Sequence, residues 1–129
     1  MNHEIAVIHL LKYNIFLSFK IKMTRAILIH EEYGHIEEIE LDIAPEKNEI
    51  YKLLGGKATF IGQWCDLDVV IMKAIHGLVP NENTLPSPFD NEIIMGAVLL
   101  VRMDENSDPQ DFTLDEYHVL RNRHMCLPI

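Results

Sequence analysis

The fold is decided by LLGGKATFIGQWCDLDVVIMKAI, residues 53–75. Two leucines run into a pair of glycines, and two apolar runs follow, Ala58–Cys65 and Asp68–Ile75. A glycine directly after helically spaced apolar residues adopts the left-handed conformation that ends a helix. Ile50, Leu53 and Leu54 supply that spacing, so the stretch predicts a short helix closed by Gly55. Thr59–Ile61 and Val69–Met72 are rich in β-branched and aromatic residues and read as strands, parted near Asp66-Leu67-Asp68.

Upstream, Ala26-Ile27-Leu28-Ile29-His30 reads as a strand and Glu31-Glu32-Tyr33-Gly34 as a turn. His35–Leu41 is its hairpin partner. Pro45 suits the first turn of a helix, where a missing N–H costs nothing. Downstream, His76-Gly77 signals a turn, and Pro80, Pro86 and Pro88 make 80–91 an ordered or semi-rigid loop. Ile93–Met103 reads as a buried strand in which Gly96 marks a bulge or a close backbone approach. Thr113-Leu114-Asp115-Glu116 is a capping box, and Arg121, Arg123 and His124 complement the far end of that helix. The expected fold is therefore α+β: one compact domain over 23–129, a mostly antiparallel or mixed sheet with two short helices on one face.

Residues 1–22 differ in character. They are dense in Ile, Leu, Val and Phe, but Lys12 interrupts the run, so no membrane span of about 20 apolar residues is expected. The lysines come late and no small-residue cleavage site follows, unlike a secretory signal. One reading makes Met23 the natural start and 1–22 an apolar extension outside the native protein. The other makes the segment an added strand or an amphipathic interfacial element.

With 48% hydrophobic and 24% charged residues, the chain has a globular rather than a disordered composition. Residues 1–22 carry a net +2, which leaves −11 on the remainder of a chain whose total is −9. So acidic a body repels phosphate backbones, and direct nucleic-acid binding is not expected. Cys65 and Cys126 show no framework spacing, so both are read as free thiols in a reducing, intracellular setting.

The pieces Leu54-Gly55-Gly56, Asp68–Met72, Val79-Pro80-Asn81, Met95-Gly96-Ala97-Val98 and Thr113-Leu114-Asp115-Glu116 together resemble an uncharacterised domain family of phages and large DNA viruses. The resemblance covers Met23 to Leu120; Glu82 stands where an arginine commonly follows Pro-Asn. It implies a small viral accessory protein acting in the host cytoplasm. It implies no catalytic residues.

Each candidate for chemistry has a plainer reading beside it. His30 and His35 flank a turn and could hold a metal, but zinc-protease histidines stand four apart on a helix and these stand five apart around a glycine. A polar turn is the plainer account. Asp66 and Asp68 would share one strand face and are weak candidates for a divalent cation or for acid–base work. A solvated strand end is the alternative. Gly55-Gly56 follows a helix instead of preceding one, so it is a cap and not a phosphate cradle. Cys65 lies beside Asp66, which disfavours a thiolate, and reads as a buried structural thiol. The stiff loop Pro80–Asn91 is the main candidate for binding, through Asn81, Asn83, Phe89 and Asn91.

Three functions follow. The first is a non-enzymatic accessory protein that binds a protein partner through this loop and an acidic surface. The second is a small metal-dependent hydrolase using the carboxylate pair, and the third a structural homo-oligomer or virion component. No catalytic residue and no cofactor is assigned.

Overall fold

The computed structural model describes residues 23–123. Expectations for 1–22, Cys126 and the His124 end of the last helix lie outside the described residues.

Among the described residues, six strands form a single antiparallel sheet. They are β1 (Thr24–Ile29), β2 (Ile36–Leu41), β3 (Ala58–Trp64), β4 (Val69–Ala74), β5 (Val98–Met103) and β6 (Pro109–Gln110). The order is β2-β1-β5-β4-β3, and the two-residue β6 pairs with the end of β5. Two helices complete the domain, α1 (Glu49–Leu54) and α2 (Leu114–Asn122). Pro45–Lys47 forms a separate 3-10 turn ahead of α1, so Pro45 starts this turn and not the α-helix.

Both faces of the sheet are covered. Along β1, Ile27 and Ile29 join one apolar cluster while Ala26 and Leu28 join another, and β5 alternates in the same way. The first cluster holds Phe112 just before α2, Tyr117 and Leu120 on it, and Leu85 and Ile94 from the long 75–97 connection. The second holds Leu54 of α1. The helices thus lie on opposite faces, not on one as the sequence suggests. The cause is visible in the central strands: β5 is apolar at every position from Val98 to Val101, and a strand apolar on both sides needs cover on both. The edge strands β2 and β3 are more exposed and bury few positions.

The predicted helix ends hold. Gly55 closes α1 at φ 73°. Thr113 accepts from the Glu116 backbone N–H while the Glu116 carboxylate accepts from the Thr113 N–H, the full capping box. The strand predicted over Ile93–Met103 is shorter and begins at Val98. Ile93 is 90% exposed, and Gly96 at φ 92° breaks the extended chain between them.

Candidate binding surface

The register places two connections at one end of the sheet. Ile29 pairs with Val98, and Val98 with Lys73, so the 30–35 turn and the 75–97 connection leave from the same edge. They are then tied together. His30 N–H donates to the His35 carbonyl at 2.9 Å to close the hairpin, and Gly34 turns it at φ 79°.

Asn83 reaches into this turn. Its amide Nδ2 donates to the carbonyls of His30 and Glu32, both at 2.8 Å, and its Oδ1 accepts from Gly34 N–H at 2.8 Å. Asn81 Nδ2 donates to Ile29 O at 3.3 Å and to Gly96 O at 2.9 Å. The Glu82 carboxylate accepts from Tyr33 N–H, and Glu82 N–H donates to Glu31 O. Phe89 meets Trp64 edge to face with centroids 5.3 Å apart, and the Trp64 indole donates to Ser87 O at 2.9 Å. From the other side, the Arg121 guanidinium donates to Thr84 O.

Of the four residues predicted for binding, Asn81, Asn83 and Phe89 therefore face inward, holding the loop against the hairpin and β3. Asn91 is exposed in a turn. The side chains turned outward are different ones: Leu78 is 88% exposed and Ile93 90%, with Val79 and Tyr33 also exposed. A Pro80–Met95 bridge and the bond from Gly96 N–H to Val79 O join the stretches that bear Leu78, Val79 and Ile93. Glu82, Asp90 and Glu92 add acidic groups around them. The sequence signal was apolar residues just outside the predicted loop, with Leu78 and Val79 between Gly77 and Pro80 and Ile93 placed in the strand that followed.

The other candidates resolve separately. Asp66 and Asp68 lie in the Cys65–Asp68 turn and not on a strand, and Asp68 has φ 56°. The Arg123 guanidinium holds the Asp66 carboxyl below its usual range, first through their hydrogen bond. Cys65 is an exposed free thiol, not a buried one; its sulfur accepts from the Gln63 amide. Cys65 and Asp68 line an open groove of about 640 Å³ together with Asp104. Asp104 Oδ1 accepts from the backbone N–H groups of Asn106 and Asp108, so it shapes its own loop. Burial raises the Tyr117 phenol above its ordinary value, against the opposing pull of Arg121.

At the hairpin, the His30 and His35 rings stack at 3.6 Å between centroids, and His30 Nε2 lies 3.1 Å from Glu37 Oε1. These three are the residues with metal-ligand chemistry that the fold brings together among the described ones. No helix of the described residues is long and apolar enough to cross a membrane.

Neither a curated protein nor a solved structure matches the chain. A family model does, over residues 27–120, from the second half of β1 through most of α2. That span takes in the hairpin, the braced connection and both helices, and the chain belongs to this family, DUF5880, a family of unknown function.

Proposed function

We propose that this domain binds a protein partner through the sheet end built from the 30–35 turn and the 75–97 connection. The observation that carries the reading is the pairing of exposed apolar side chains with a fixed backbone. Leu78, Val79 and Ile93 stand in solvent on segments that Asn81, Asn83 and Trp64 hold in place. Exposed apolar groups gathered on one surface favour association, and a backbone already ordered loses little entropy when it binds. The acidic groups beside them favour a partner whose contact surface is apolar at the centre and basic at its rim. A viral accessory role in the host cytoplasm belongs to the same reading. It is supported by the resemblance of the motifs.

The test compares the wild-type domain with a Leu78→Glu/Ile93→Glu variant. Both positions are exposed, so folding should survive, and circular dichroism verifies it. A protein captured stoichiometrically from the native host by wild type, and lost from the variant, supports the reading. Equal capture by both proteins, or none by either, ends it.

A further inference from the structure

We propose that His30, His35 and Glu37 hold a divalent transition-metal ion at the turn end of the β1–β2 hairpin, on the sheet face that carries Ala26 and Leu28. The site shares the 30–35 turn with the partner-binding reading but does not rest on it, because all three ligands come from the β1–β2 hairpin and none from the 75–97 connection.

The pairing makes the cluster. Ile29 lies opposite Ile36 in the register, so His30 and His35 form the next cross-strand pair, closed by the 2.9 Å bond between their backbones. Directly opposed residues on an antiparallel pair project to the same face with Cβ atoms about 5 Å apart. Glu37 is two residues beyond His35 on β2, opposite Leu28, and so shares that face. One ligand atom from each of the three lies within 4.8 Å of the other two.

A tetrahedral zinc ion with nitrogen and oxygen ligands at about 2.0–2.2 Å sets those ligand atoms roughly 3.3 Å apart. His30 Nε2 and Glu37 Oε1 are already at 3.1 Å. Rotation of the exposed His35 ring out of its stack would bring the third nitrogen to the same centre.

The support around the cluster favours a built site. Regular strand pairing fixes β2 against β1, and Asn83 and Glu82 pin the turn between the histidines from the other side of the chain. Ligands carried on rigid elements lose little freedom when they close on an ion. His30 is half-buried while His35 and Glu37 are exposed, which leaves the fourth coordination position open to water or to an incoming side chain. Glu31 and Glu32 raise the local concentration of cations. Two imidazoles and one carboxylate suit Zn2+, Co2+ or Ni2+, and not Ca2+ or Mg2+, which take oxygen ligands.

The experiment is calorimetric titration of the full chain with Zn2+, repeated with Co2+ while its visible absorption is recorded. Wild type is compared with His35→Ala and Glu37→Gln, and with Glu32→Gln as a control for general acidic attraction. Loss of a true ligand should weaken binding by at least the roughly 10–100-fold that follows removal of an outer-shell partner. The proposal expects that loss, with an altered Co2+ spectrum, in His35→Ala and Glu37→Gln, and affinity within about twofold of wild type in Glu32→Gln. His35 and Glu37 are exposed, so these variants keep the fold. Wild type that binds neither ion, or equal binding by wild type and His35→Ala, overturns the site.

Discussion

The backbone N–H of Asn83 donates to the side-chain oxygen of Asn81 at 2.9 Å, and this bond orients the Asn81 amide. With Oδ1 of Asn81 fixed as acceptor, its Nδ2 must face Ile29 O and Gly96 O. Asn83 in turn uses both donors and its acceptor on the hairpin turn. A half-buried hydrogen bond contributes about 1 kcal/mol net, and losing several at once leaves carbonyls with poor access to water. Asn83→Ala is therefore expected to cost about 2 kcal/mol, and Asn81→Ala a similar amount. Asn83→Asp keeps the acceptor for Gly34 but turns a carboxylate oxygen toward the His30 and Glu32 carbonyls, so it should be no more stable than the alanine variant. Urea denaturation measures each midpoint, and a shift near zero for Asn83→Ala would show that the brace is ornamental.

Gly77 is a position where any side chain collides with backbone. A Cβ there would stand 2.2 Å from the Met95 carbonyl oxygen, and Gly96 N–H donates to Val79 O in the same crossing. A carbonyl cannot rotate aside as a side chain can, so Gly77→Ala must push the 77–80 and 93–96 stretches apart. Overpacking of this kind costs about 1–3 kcal/mol. Amide exchange should show faster opening at Gly96 and Asn81 than at the β4–β5 pairs. Unchanged protection at Gly96 would contradict the close approach.

Much of the architecture was legible because it depends on local chemistry. The cap at Gly55 and the box at Thr113 and Glu116 follow from residue types within five positions of one another, and the β1–β2 hairpin from two β-prone runs on either side of one short turn. The strand at Val98 was legible in kind but not in extent, since a glycine such as Gly96 can equally mark a bulge inside a strand or, as here, the break before it. The candidate surface was least legible. Asparagines in a proline-rich loop look available, yet Asn81 and Asn83 are consumed by carbonyls more than fifty residues away, at Ile29 and His30. Leu78 and Ile93 look like core, because sequence does not reveal that the chain leaves the sheet before reaching them. The sides taken by the helices follow a similar logic. An all-apolar β5 says that two covers are needed, but not which element supplies each.

Phe89 and Gly62 are coupled through space. A Cβ at Gly62 would lie 2.6 Å from Phe89 Cε1, so the ring rests directly on the glycine while its edge meets Trp64. Gly62→Ala should displace the ring and cost about 1–2 kcal/mol. Phe89→Ala removes a partly buried aromatic contact and should cost about 2–3 kcal/mol. In the Phe89→Ala background, Gly62→Ala should be close to neutral, because its added methyl then fills vacated space. Residues in contact show interaction energies of about 0.5–3 kcal/mol in such a cycle. Strict additivity of the two substitutions would mean that the ring can move off Gly62 without cost.

Glu116 joins the start of α2 to the end of β5. Its Oε1 accepts from Thr113, and its Oε2 accepts from the Arg102 guanidinium at 2.7 Å. Burial acts most strongly on this carboxyl and raises its pKa. The Arg102 hydrogen bond, the Thr113 N–H and the nearby positive charge together outweigh it, so the group lies below the ordinary glutamate value. A folded-state pKa below the unfolded one stabilises the fold above the unfolded value and is lost as pH falls through the folded value. Stability should thus decline from about pH 4.3 downward, the ordinary glutamate value. Asp66, lowered by Arg123, titrates in the same acid region, but its pair is exposed and yields to salt. Melting temperatures from pH 3 to 7, at low and high salt, separate the two. Glu116→Gln should flatten the acid slope that survives high salt, and Asp66→Asn only the part that salt removes. Thr113→Ala should lower stability by about 1 kcal/mol at neutral pH through loss of the cap. An acid slope in Glu116→Gln identical to wild type at high salt would show that the α2–β5 link contributes nothing to acid sensitivity.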